Sequence, residues 1–235
     1  MRLAKRLAAV ARHVPPGAAV ADIGTDHAYL PLYLVRKGIA CRVIAGEVNP
    51  GPYEAARSAV RAGRVANRID LRMGDGLQVV APGEVDVVVV AGMGGRTITD
   101  ILSAGRLVLA RVRRLILQPM GDLAEVRRWL VDNGWRLADE EMVCEQGRYY
   151  VIIVAEPGRE KVEDEFLLEV GPRLLEKRDA TLQSYLRRRL NHINAVLAQM
   201  ERARRPGWQE KRAGFALEAA RIREVLENWQ CRQRI

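Results

Sequence analysis

A glycine between two carboxylates is the feature of this 235-residue sequence with the clearest chemistry. Asp22 and Asp26 stand on either side of Gly24, with an apolar run before the segment and a helical pattern after it. A strand that leads into a glycine loop and then into a helix is where doubly wound folds bind nucleotides, because the loop lies at the carboxyl end of the sheet. The segment therefore predicts a ligand-binding loop.

The charge of this loop indicates which kind of nucleotide it binds. A dinucleotide fingerprint requires G-x-G-x-x-G, and two carboxylates would repel a pyrophosphate. The same carboxylates suit a ligand that carries an ammonium and a sulfonium group, and S-adenosyl-L-methionine is such a ligand. We therefore expect this cofactor. The purely structural alternative is that Gly24 only allows a tight turn and that Asp26 caps the following helix.

Acidic residues also stand at the ends of the next two strand patterns. Glu47 comes 23 residues after Gly24, a spacing at which an acidic residue of this fold accepts hydrogen bonds from ribose hydroxyls. Asp75 lies in Gly-Asp-Gly after the third strand pattern, where a carboxylate can accept from the adenine amino group and Gly76 permits close approach. Read alone, Asp75 is equally typical of an ordinary turn. Three acidic residues at successive strand ends favour the cofactor site.

The loop after the fourth strand pattern bears on the methyl acceptor. It reads Gly92-Met93-Gly94-Gly95-Arg96, without the Asn-Pro-Pro or Asp-Pro-Pro common in enzymes that methylate an exocyclic amine. Glycines let the backbone approach a flat ring, Met93 can pack against one, and Arg96 can hold a phosphate. A ring nitrogen has its own lone pair and needs less help from a base, so the loop favours a ring position as acceptor.

The elements that must hold these loops alternate between strand and helix. Five apolar runs without polar alternation, separated by helical patterns, indicate a parallel sheet covered on both faces. Two further strand patterns are separated only by residues 145–148, which predicts an antiparallel hairpin. The predicted fold class is α/β, a Rossmann-like doubly wound sheet with the layout of class I methyltransferases. The predicted strands are Ala18–Gly24, Cys41–Val48, Ile69–Met73, Val85–Ala91, Arg114–Gln118, Trp135–Cys144 and Tyr149–Ala155, and the helices between them are Ala28–Lys37, Pro50–Ala62, Arg96–Ala104 and Asp122–Asn133.

The sequence after Pro157-Gly158 differs from the preceding part in charge and in the spacing of its apolar residues. Residues 158–235 carry 17 basic and 12 acidic residues, against 21 and 17 in the twice longer part before them. Leucine, isoleucine and other apolar residues recur at spacings of three and four on both sides of Arg204-Arg205-Pro206-Gly207, which predicts two antiparallel helices. We therefore expect a domain over 1–157 and a coiled-coil-like helical hairpin over 158–235, with an oligomerising hairpin as the alternative to an RNA-binding one.

Composition excludes several classes of protein. With 49% hydrophobic residues, the chain is not of the disordered type, and its three cysteines lack the spacing of a disulfide framework or a thiolate zinc site. No metal site is expected. The segment Met1–His13 resembles an amphipathic helix more than a signal peptide, and no apolar run is long enough to span a bilayer. We expect a cytoplasmic protein without membrane contact; its oligomeric state is not predicted.

Taken together, these motifs closely resemble the bacterial tRNA (adenine-22-N1)-methyltransferases of the TrmK type. The resemblance implies a methyltransferase domain that binds S-adenosyl-L-methionine, a tail that assists tRNA binding, and methylation of adenine N1 at position 22. It is interrupted at Met120, where the family usually has Asn after Gln-Pro, and at Tyr150, where Glu is frequent; no role is assigned to either. The matching blocks are DIGTDHAYLP (22–31), AGEVNPGPYEAA (45–56), RMGDGL (72–77), AGMGGRTI (91–98), LILQP (115–119) and the stretch 129–158.

The predicted site residues fall into three groups. Asp26 and His27, at the mouth of the loop, are the candidate catalytic pair, although a histidine at a helix start is as often structural. The predicted cofactor residues are Asp22, Gly24, Thr25, Asp26, His27, Glu47, Val48, Asp75, Gly76, Gly92, Met93 and Gly94. The predicted substrate residues are Tyr29, Arg96, Gln118, Pro119, Arg187, Arg188, Arg204 and Arg205.

Two other functions are compatible with parts of the sequence. The set Asp22, Gly24 and Glu47 would equally allow a methyltransferase for a small molecule. A Rossmann-like RNA-binding module without catalysis is the other alternative, and the complete set of cofactor-loop carboxylates argues against it. Salt-dependent tRNA binding separates an RNA methyltransferase from the first alternative, because phosphate contacts make affinity fall with ionic strength.

Overall fold

The strand patterns pair into one seven-stranded sheet of order β3-β2-β1-β4-β5-β7-β6 in a computed structural model that describes residues 3–203 and 207–231. Strands β1 to β5 are parallel, while β7 runs antiparallel to both β5 and β6. This confirms the doubly wound sheet and its terminal hairpin. The strands are β1 Ala18–Ile23, β2 Ala40–Glu47, β3 Ile69–Met73, β4 Val87–Met93, β5 Arg114–Pro119, β6 Trp135–Glu145 and β7 Arg148–Pro157.

The central strands are apolar because both of their faces are covered. All six residues of β1 are buried, and so are Val87–Val90 of β4. An N-terminal helix, α1, buries Ala9 and Val10 in the core that includes β1 and β4. The helices of this part are α1 Lys5–Arg12, α2 Tyr29–Arg36, α3 Pro50–Gly63, α4 Gly95–Ala104, α5 Arg106–Leu109 and α6 Leu123–Asp132, with a 3₁₀ turn at Gly76–Val79.

Strand register brings the candidate loops to one edge of the sheet. Ile23 at the end of β1 lies opposite Gly46 on β2 and Val90 on β4, and Glu47 lies opposite Met73 on β3. Because these strands are parallel, their carboxyl ends and the loops after them meet at the same edge. The loops after β1, β2, β3 and β4 therefore share one site.

The chain divides into two compact units, Met1–Glu163 and Asp164–Ile235. The predicted boundary followed Pro157, six residues earlier than the observed one. Residues after Pro157 stay with the first unit, where Glu160 Oε2 accepts a hydrogen bond of 2.6 Å from the backbone N–H of Leu137 on β6. That tertiary bond has no local sequence signal.

The described residues of the second unit form four helices, two of them long. Arg189 is bonded to Glu218, and Glu201, later in the first long helix, forms an ion pair with Arg212, earlier in the second, so the two long helices run antiparallel. Leu186 and Ile193 of the first long helix and Ile222 of the second are buried. The helices are α7 Glu165–Val170, α8 Pro172–Lys177, α9 Ala180–Ala203 and α10 Gln209–Cys231.

The sequence patterns did not predict the short elements. The helices α5, α7 and α8 have four to six residues, as does the 3₁₀ turn at Gly76–Val79. Fewer than two helical turns contain too few apolar repeats to show a period of 3.6. In the described part of the chain, no helix has the length and apolarity needed to cross a membrane.

A fully buried ion pair joins α6 to β6. Arg127 Nε donates to Glu140 Oε1 over 2.6 Å, and neither side chain is exposed to solvent. We expect Glu140→Ala to lower the free energy of unfolding by about 3–5 kcal/mol, because it leaves a buried guanidinium without its carboxylate. The double variant Arg127→Met/Glu140→Leu should lose less than this single change, as measured by urea denaturation.

The exposed pair between Arg57 and Glu54 is the control for this prediction. Glu54→Ala should change the free energy of unfolding by less than about 1 kcal/mol. Equal losses in Glu140→Ala and Glu54→Ala would contradict the structural role of the buried pair.

Candidate active site

The loops at the carboxyl edge of the sheet enclose a cavity of about 1130 Å³. This volume is large enough for a nucleoside with further groups attached. Its described lining contains five carboxylates and a single cation, Arg6 of α1. Most of the predicted cofactor positions line it, as does Tyr29; they are Asp22, Gly24, Thr25, Asp26, Glu47, Val48, Asp75, Gly76, Gly92 and Met93.

Asp22 is a buried carboxylate at the end of β1. Its side chain is 5% exposed, and its Oδ2 accepts a hydrogen bond of 2.8 Å from Thr25 Oγ1. Burial raises the pKa of Asp22 to about 6; the bond from Thr25 opposes this rise, and the nearby Glu47 adds to it. The ionised form of Asp22 is therefore only partly compensated within the protein, and a cation in the cavity would complete the compensation.

Glu47 is fixed by the loops on either side of it. One carboxylate oxygen, Oε1, accepts from the backbone N–H groups of Val48 and Asn49 and from the Asn49 side chain, at 2.9–3.2 Å. The other, Oε2, accepts from the Asp26 N–H at 3.1 Å. Oε1 is saturated, whereas Oε2 has capacity for a further donor. Glu47 thus joins the loops after β1 and β2 and keeps one acceptor for a ligand.

The backbone after β1 is strained. Gly24, Asp26 and Ala28 all have φ between +51° and +74°, a region that non-glycine residues rarely adopt. The N–H groups of Gly24 and Thr25 both donate to Gly46 O, at 2.9 and 3.0 Å, and hold the loop against β2. A Cβ on Gly24 would come within 2.1 Å of the Met93 methyl group. Strain of this kind concentrates at functional sites.

Asp26 and His27 stand at the mouth of the cavity. His27 Nδ1 lies 2.9 Å from Asp26 Oδ1, and both side chains are at least half exposed. The His27 ring stacks on the Tyr29 ring, with centroids 5.5 Å apart and planes inclined by 6°. Tyr29 lines the cavity and is 51% exposed, whereas His27 does not contribute to the lining. The structure brings the candidate pair together at the rim.

Asp75 contributes an exposed carboxylate on the β3 side of the cavity. It precedes the 3₁₀ turn but does not cap it, and within the described residues its carboxylate accepts no hydrogen bond. Gly76 has a φ of +51°, so the turn that directs Asp75 requires the left-handed region. An ordinary Asp turn would use the carboxylate on its own backbone. Here the carboxylate remains available to a ligand.

Of the predicted site residues in the loop after β4, some line the cavity and others lie outside it. Gly92 and Met93 line the cavity, and Gly92 has a φ of +82° where the register between β4 and β5 shifts. Gly94 precedes the first residue of α4 and does not contribute to the lining, and neither does Arg96, which is exposed. Only the first half of this loop therefore belongs to the cavity wall.

Gln118 and Pro119, predicted to contact substrate, lie beneath the cavity. Gln118 is fully buried. Its Oε1 accepts a hydrogen bond of 3.0 Å from Arg6 Nη1, and its Nε2 donates one of 2.9 Å to Pro119 O. The amide is thus used within the protein, and neither residue lines the cavity. A direct contact with substrate is not how the structure uses Gln118; its role here is to hold Arg6.

The four predicted arginines of the tail lie in the second unit. Arg187 and Arg188 are exposed on α9, while their neighbour Arg189 is bonded to Glu218 at 2.7 and 2.9 Å. Consecutive residues cannot share a helix face, and the third arginine has a structural partner. Arg204 and Arg205 lie outside the described residues.

Five polar residues of the described lining were not predicted from the sequence: Arg6, Asn49, Gln78, Thr97 and Asp100. Arg6 is 112 residues away from its partner Gln118, so no local spacing links the two. Asn49 follows Glu47 by two residues and was detectable as a second polar group at the β2 end. Asp100 lies on α4, where it reads as an ordinary exposed helix residue.

The arrangement of carboxylates suits cations and hydrogen-bond donors. No group of His, Cys, Asp and Glu suited to a metal ion occurs among residues 3–203 and 207–231. The cavity itself presents carboxylates, the Arg6 guanidinium, and hydroxyl and amide side chains, with His27 at its rim. These can position a cationic nucleoside-like ligand next to a second, flat substrate at the rim.

Comparisons with known proteins identify what this chain is similar to. The family model described as tRNA (adenine(22)-N(1))-methyltransferase matches residues 20–224. A protein of that name from Bacillus subtilis (strain 168) is 39% identical over 208 residues, which are 86% of this chain and 87% of the relative.

Solved structures agree with this similarity. A Streptococcus pneumoniae protein in complex with S-adenosyl-L-methionine is 35% identical, with a TM-score of 0.86 over 96% of this chain and 100% of that one. TrmK of M. capricolum, in complex with S-adenosyl-homocysteine, is 25% identical, with a TM-score of 0.81 over 97% and 99% of the two chains.

The buried Asp22 predicts a pH-dependent stability. Because burial raises the pKa of Asp22 to about 6, above its ordinary 3.8, its favourable contribution is complete below about pH 4 and is lost as pH rises to about 6. At pH 7.5 we expect Asp22→Asn to be more stable than the parent by up to ~3 kcal/mol, from 1.36 kcal/mol per pKa unit. The gain should shrink as pH falls from 7 to 5, as measured by urea denaturation.

Asp75→Asn, an exposed carboxylate of the same cavity, is the matched control and should show no such gain. A variant Asp22→Asn less stable than the parent at pH 7.5 would contradict the prediction, because it would mean that the ionised carboxylate is satisfied inside the protein.

Proposed function

The chain belongs to the tRNA (adenine(22)-N(1))-methyltransferase family, and from this membership we propose that it transfers the methyl group of S-adenosyl-L-methionine to N1 of the adenine at position 22 of tRNA. The observation that carries the proposal is the row of carboxylates at the ends of three adjacent parallel strands, within one cavity. Asp22 and Glu47 lie at the ends of β1 and β2, and Asp75 follows β3 by two residues.

The residues present fit the cofactor. The nucleoside requires acceptors for ribose hydroxyls and an adenine amino group, and Glu47 Oε2 and the Asp75 carboxylate have capacity for them. The amino-acid end carries an ammonium beside the sulfonium, and Asp22 provides buried negative charge at the β1 end. When bound, S-adenosyl-L-methionine supplies an electrophilic methyl group.

The chemistry at the acceptor requires little from the protein. Adenine N1 has a lone pair that forms the new bond to the methyl carbon, the bond from that carbon to sulfur breaks, and the positive charge passes to the adenine ring. Catalysis then consists of alignment and of stabilising that charge. The Asp26 carboxylate, held beside His27 at the rim, is our candidate for the stabilising group.

The rim also suits a base that has left its helix. N1 lies on the Watson–Crick edge, so adenine must be unpaired or flipped out before it can react. Tyr29 exposes half of its surface at the cavity mouth and is stacked on His27, which presents an aromatic platform next to Asp26. We propose that the target base stacks here, above the loop after β1.

The partner in this proposal is tRNA in the cytoplasm. Exposed Arg187 and Arg188 on α9 supply positive charge for phosphate contacts, and the basic excess of the tail supports this role. Arg204 and Arg205 stay predicted phosphate contacts. In this proposal the second unit, Asp164–Ile235, contributes to RNA affinity, and the first unit, Met1–Glu163, carries out the chemistry.

The decisive experiment maps the methylated position. Unmodified tRNA transcripts with an adenine at position 22 are incubated with the protein and labelled S-adenosyl-L-methionine, and the product is digested and analysed by mass spectrometry. We expect one methyl group per tRNA, at N1 of A22, and no label on a transcript with guanine there.

Cofactor binding is measured separately by calorimetry, so that a negative result can be interpreted. Bound cofactor without labelled tRNA would overturn the proposal and favour a small-molecule acceptor. If the protein neither binds the cofactor nor labels tRNA, an RNA-binding module without catalysis would instead be favoured.

The exposed arginines of α9 give a second test. We expect Arg187→Ala/Arg188→Ala to weaken tRNA binding. The slope of log K against log salt should fall in magnitude by about 1–2, because a protein with fewer phosphate contacts displaces fewer counterions when it binds. Cofactor affinity should not change. Filter binding at several salt concentrations measures the slope.

The control is Arg57→Ala/Lys161→Ala, which removes the same charge from exposed positions of unit 1. Equal effects of the two double variants on tRNA binding would show that overall charge, rather than this surface of α9, is responsible.

A further inference from the structure

We propose that Arg6 of helix α1 binds the α-carboxylate at the methionine end of S-adenosyl-L-methionine. The inference rests on the proposed function for the identity of the ligand and adds a residue to its site. Neither the sequence motifs nor the resemblance pointed to Arg6, because it precedes the first matching block by 16 residues.

Charge complementarity is the first argument. The described lining of the cavity holds five carboxylates, Asp22, Asp26, Glu47, Asp75 and Asp100, and one cation, Arg6. The ligand carries two cationic groups and one anionic group. The anionic group would be repelled at every charged position of this lining except Arg6.

The position of the guanidinium is the second argument. A Cβ placed on Gly92 would lie 3.5 Å from Arg6 Nη1 and 3.8 Å from Nη2, so the guanidinium lies directly against the β4 loop. Strand β4 is the neighbour of β1, with Val90 opposite Ile23. The guanidinium is therefore at the β1–β4 side of the cavity, away from the β2 and β3 ends that suit the nucleoside.

A hydrogen bond to the buried Gln118 orients the Arg6 side chain. Gln118 Oε1 accepts from Arg6 Nη1 at 3.0 Å, and Gln118 is itself fixed by its bond to Pro119 O. A buried amide with both of its atoms engaged is a rigid support. Met120 N–H donates to Met93 O at 2.8 Å, which ties the β5 end that carries Gln118 to the β4 loop.

Arg6 keeps unused binding capacity. It forms no ion pair with any residue in the described part of the chain, and its hydrogen bond to Gln118 uses one nitrogen, which leaves most of its N–H groups for a ligand. Arg12, on the same helix, contrasts with it because it is bonded to Glu141. A guanidinium pairs with a carboxylate through two parallel hydrogen bonds, the geometry that favours arginine over lysine.

The test compares two ligands that differ only in the carboxylate. Dissociation constants of S-adenosyl-L-methionine and of its decarboxylated analogue are measured by calorimetry for the parent and for Arg6→Gln. The glutamine amide can still donate to Gln118 but has no charge. We expect Arg6→Gln to weaken S-adenosyl-L-methionine binding by about tenfold or more, and to bind the analogue within about twofold of the parent.

Two further variants sharpen the result. Arg6→Lys keeps the charge but loses the paired hydrogen bonds, so its affinity for S-adenosyl-L-methionine should fall between those of the parent and Arg6→Gln. Arg12→Gln removes a guanidinium from the same helix, outside the cavity, and should leave both affinities unchanged. Thermal melting checks that each variant is folded.

Three outcomes would overturn the proposal. Equal losses for the two ligands in Arg6→Gln would mean that Arg6 only shapes the cavity. Unchanged cofactor affinity with a raised KM for tRNA would mean that it contacts an RNA phosphate. Equal affinity of the parent for both ligands would exclude carboxylate recognition even if no variant folds. If the parent binds the cofactor but methylates no tRNA, the proposed function fails while the Arg6 comparison still stands.

Discussion

Two carboxylates, Asp22 and Glu47, are held almost completely out of water at the ends of adjacent parallel strands. Burying negative charge is unfavourable, and the raised pKa of Asp22 records that cost. The protein offsets part of it with Thr25 on Asp22 and with backbone N–H groups on Glu47. Those bonds require the strained loop after Gly24, so the backbone geometry and the charge of the site depend on each other.

This constraint explains why the chain separates its charges. The cavity concentrates carboxylates that suit a cationic ligand, although the whole chain has a formal net charge of +9. Basic residues are distributed elsewhere, with Arg187 and Arg188 exposed on α9 and Arg6 alone among the described cavity residues. In the proposed function a cationic cofactor and a polyanionic RNA meet at one enzyme, and the two charge patterns keep their binding sites distinct.

Much of the cofactor side was predictable because it follows from local spacing. Asp22, Glu47 and Asp75 each end a recognisable strand, and parallel strands place their carboxyl ends at one edge. The acceptor side was less predictable. Gln118, predicted to contact substrate, is buried and bonded to Arg6, and Arg96 and Gly94 lie outside the cavity wall. Their orientation depends on how the β4 and β5 loops pack, which spacing along the chain does not encode.

The sequence by itself determined the order of strands and helices, the register of carboxylates at successive strand ends and the antiparallel helices of the tail, because apolar periodicity and turn residues are local properties. Tertiary structure alone decided which polar groups beyond these strand-end carboxylates face the cavity. Arg6 and Gln118 are 112 residues apart and meet only because α1 packs beside β5 at the same edge of the sheet. It also decided how far Asp22 is desolvated, since burial results from every element packed around a side chain rather than from its neighbours in sequence.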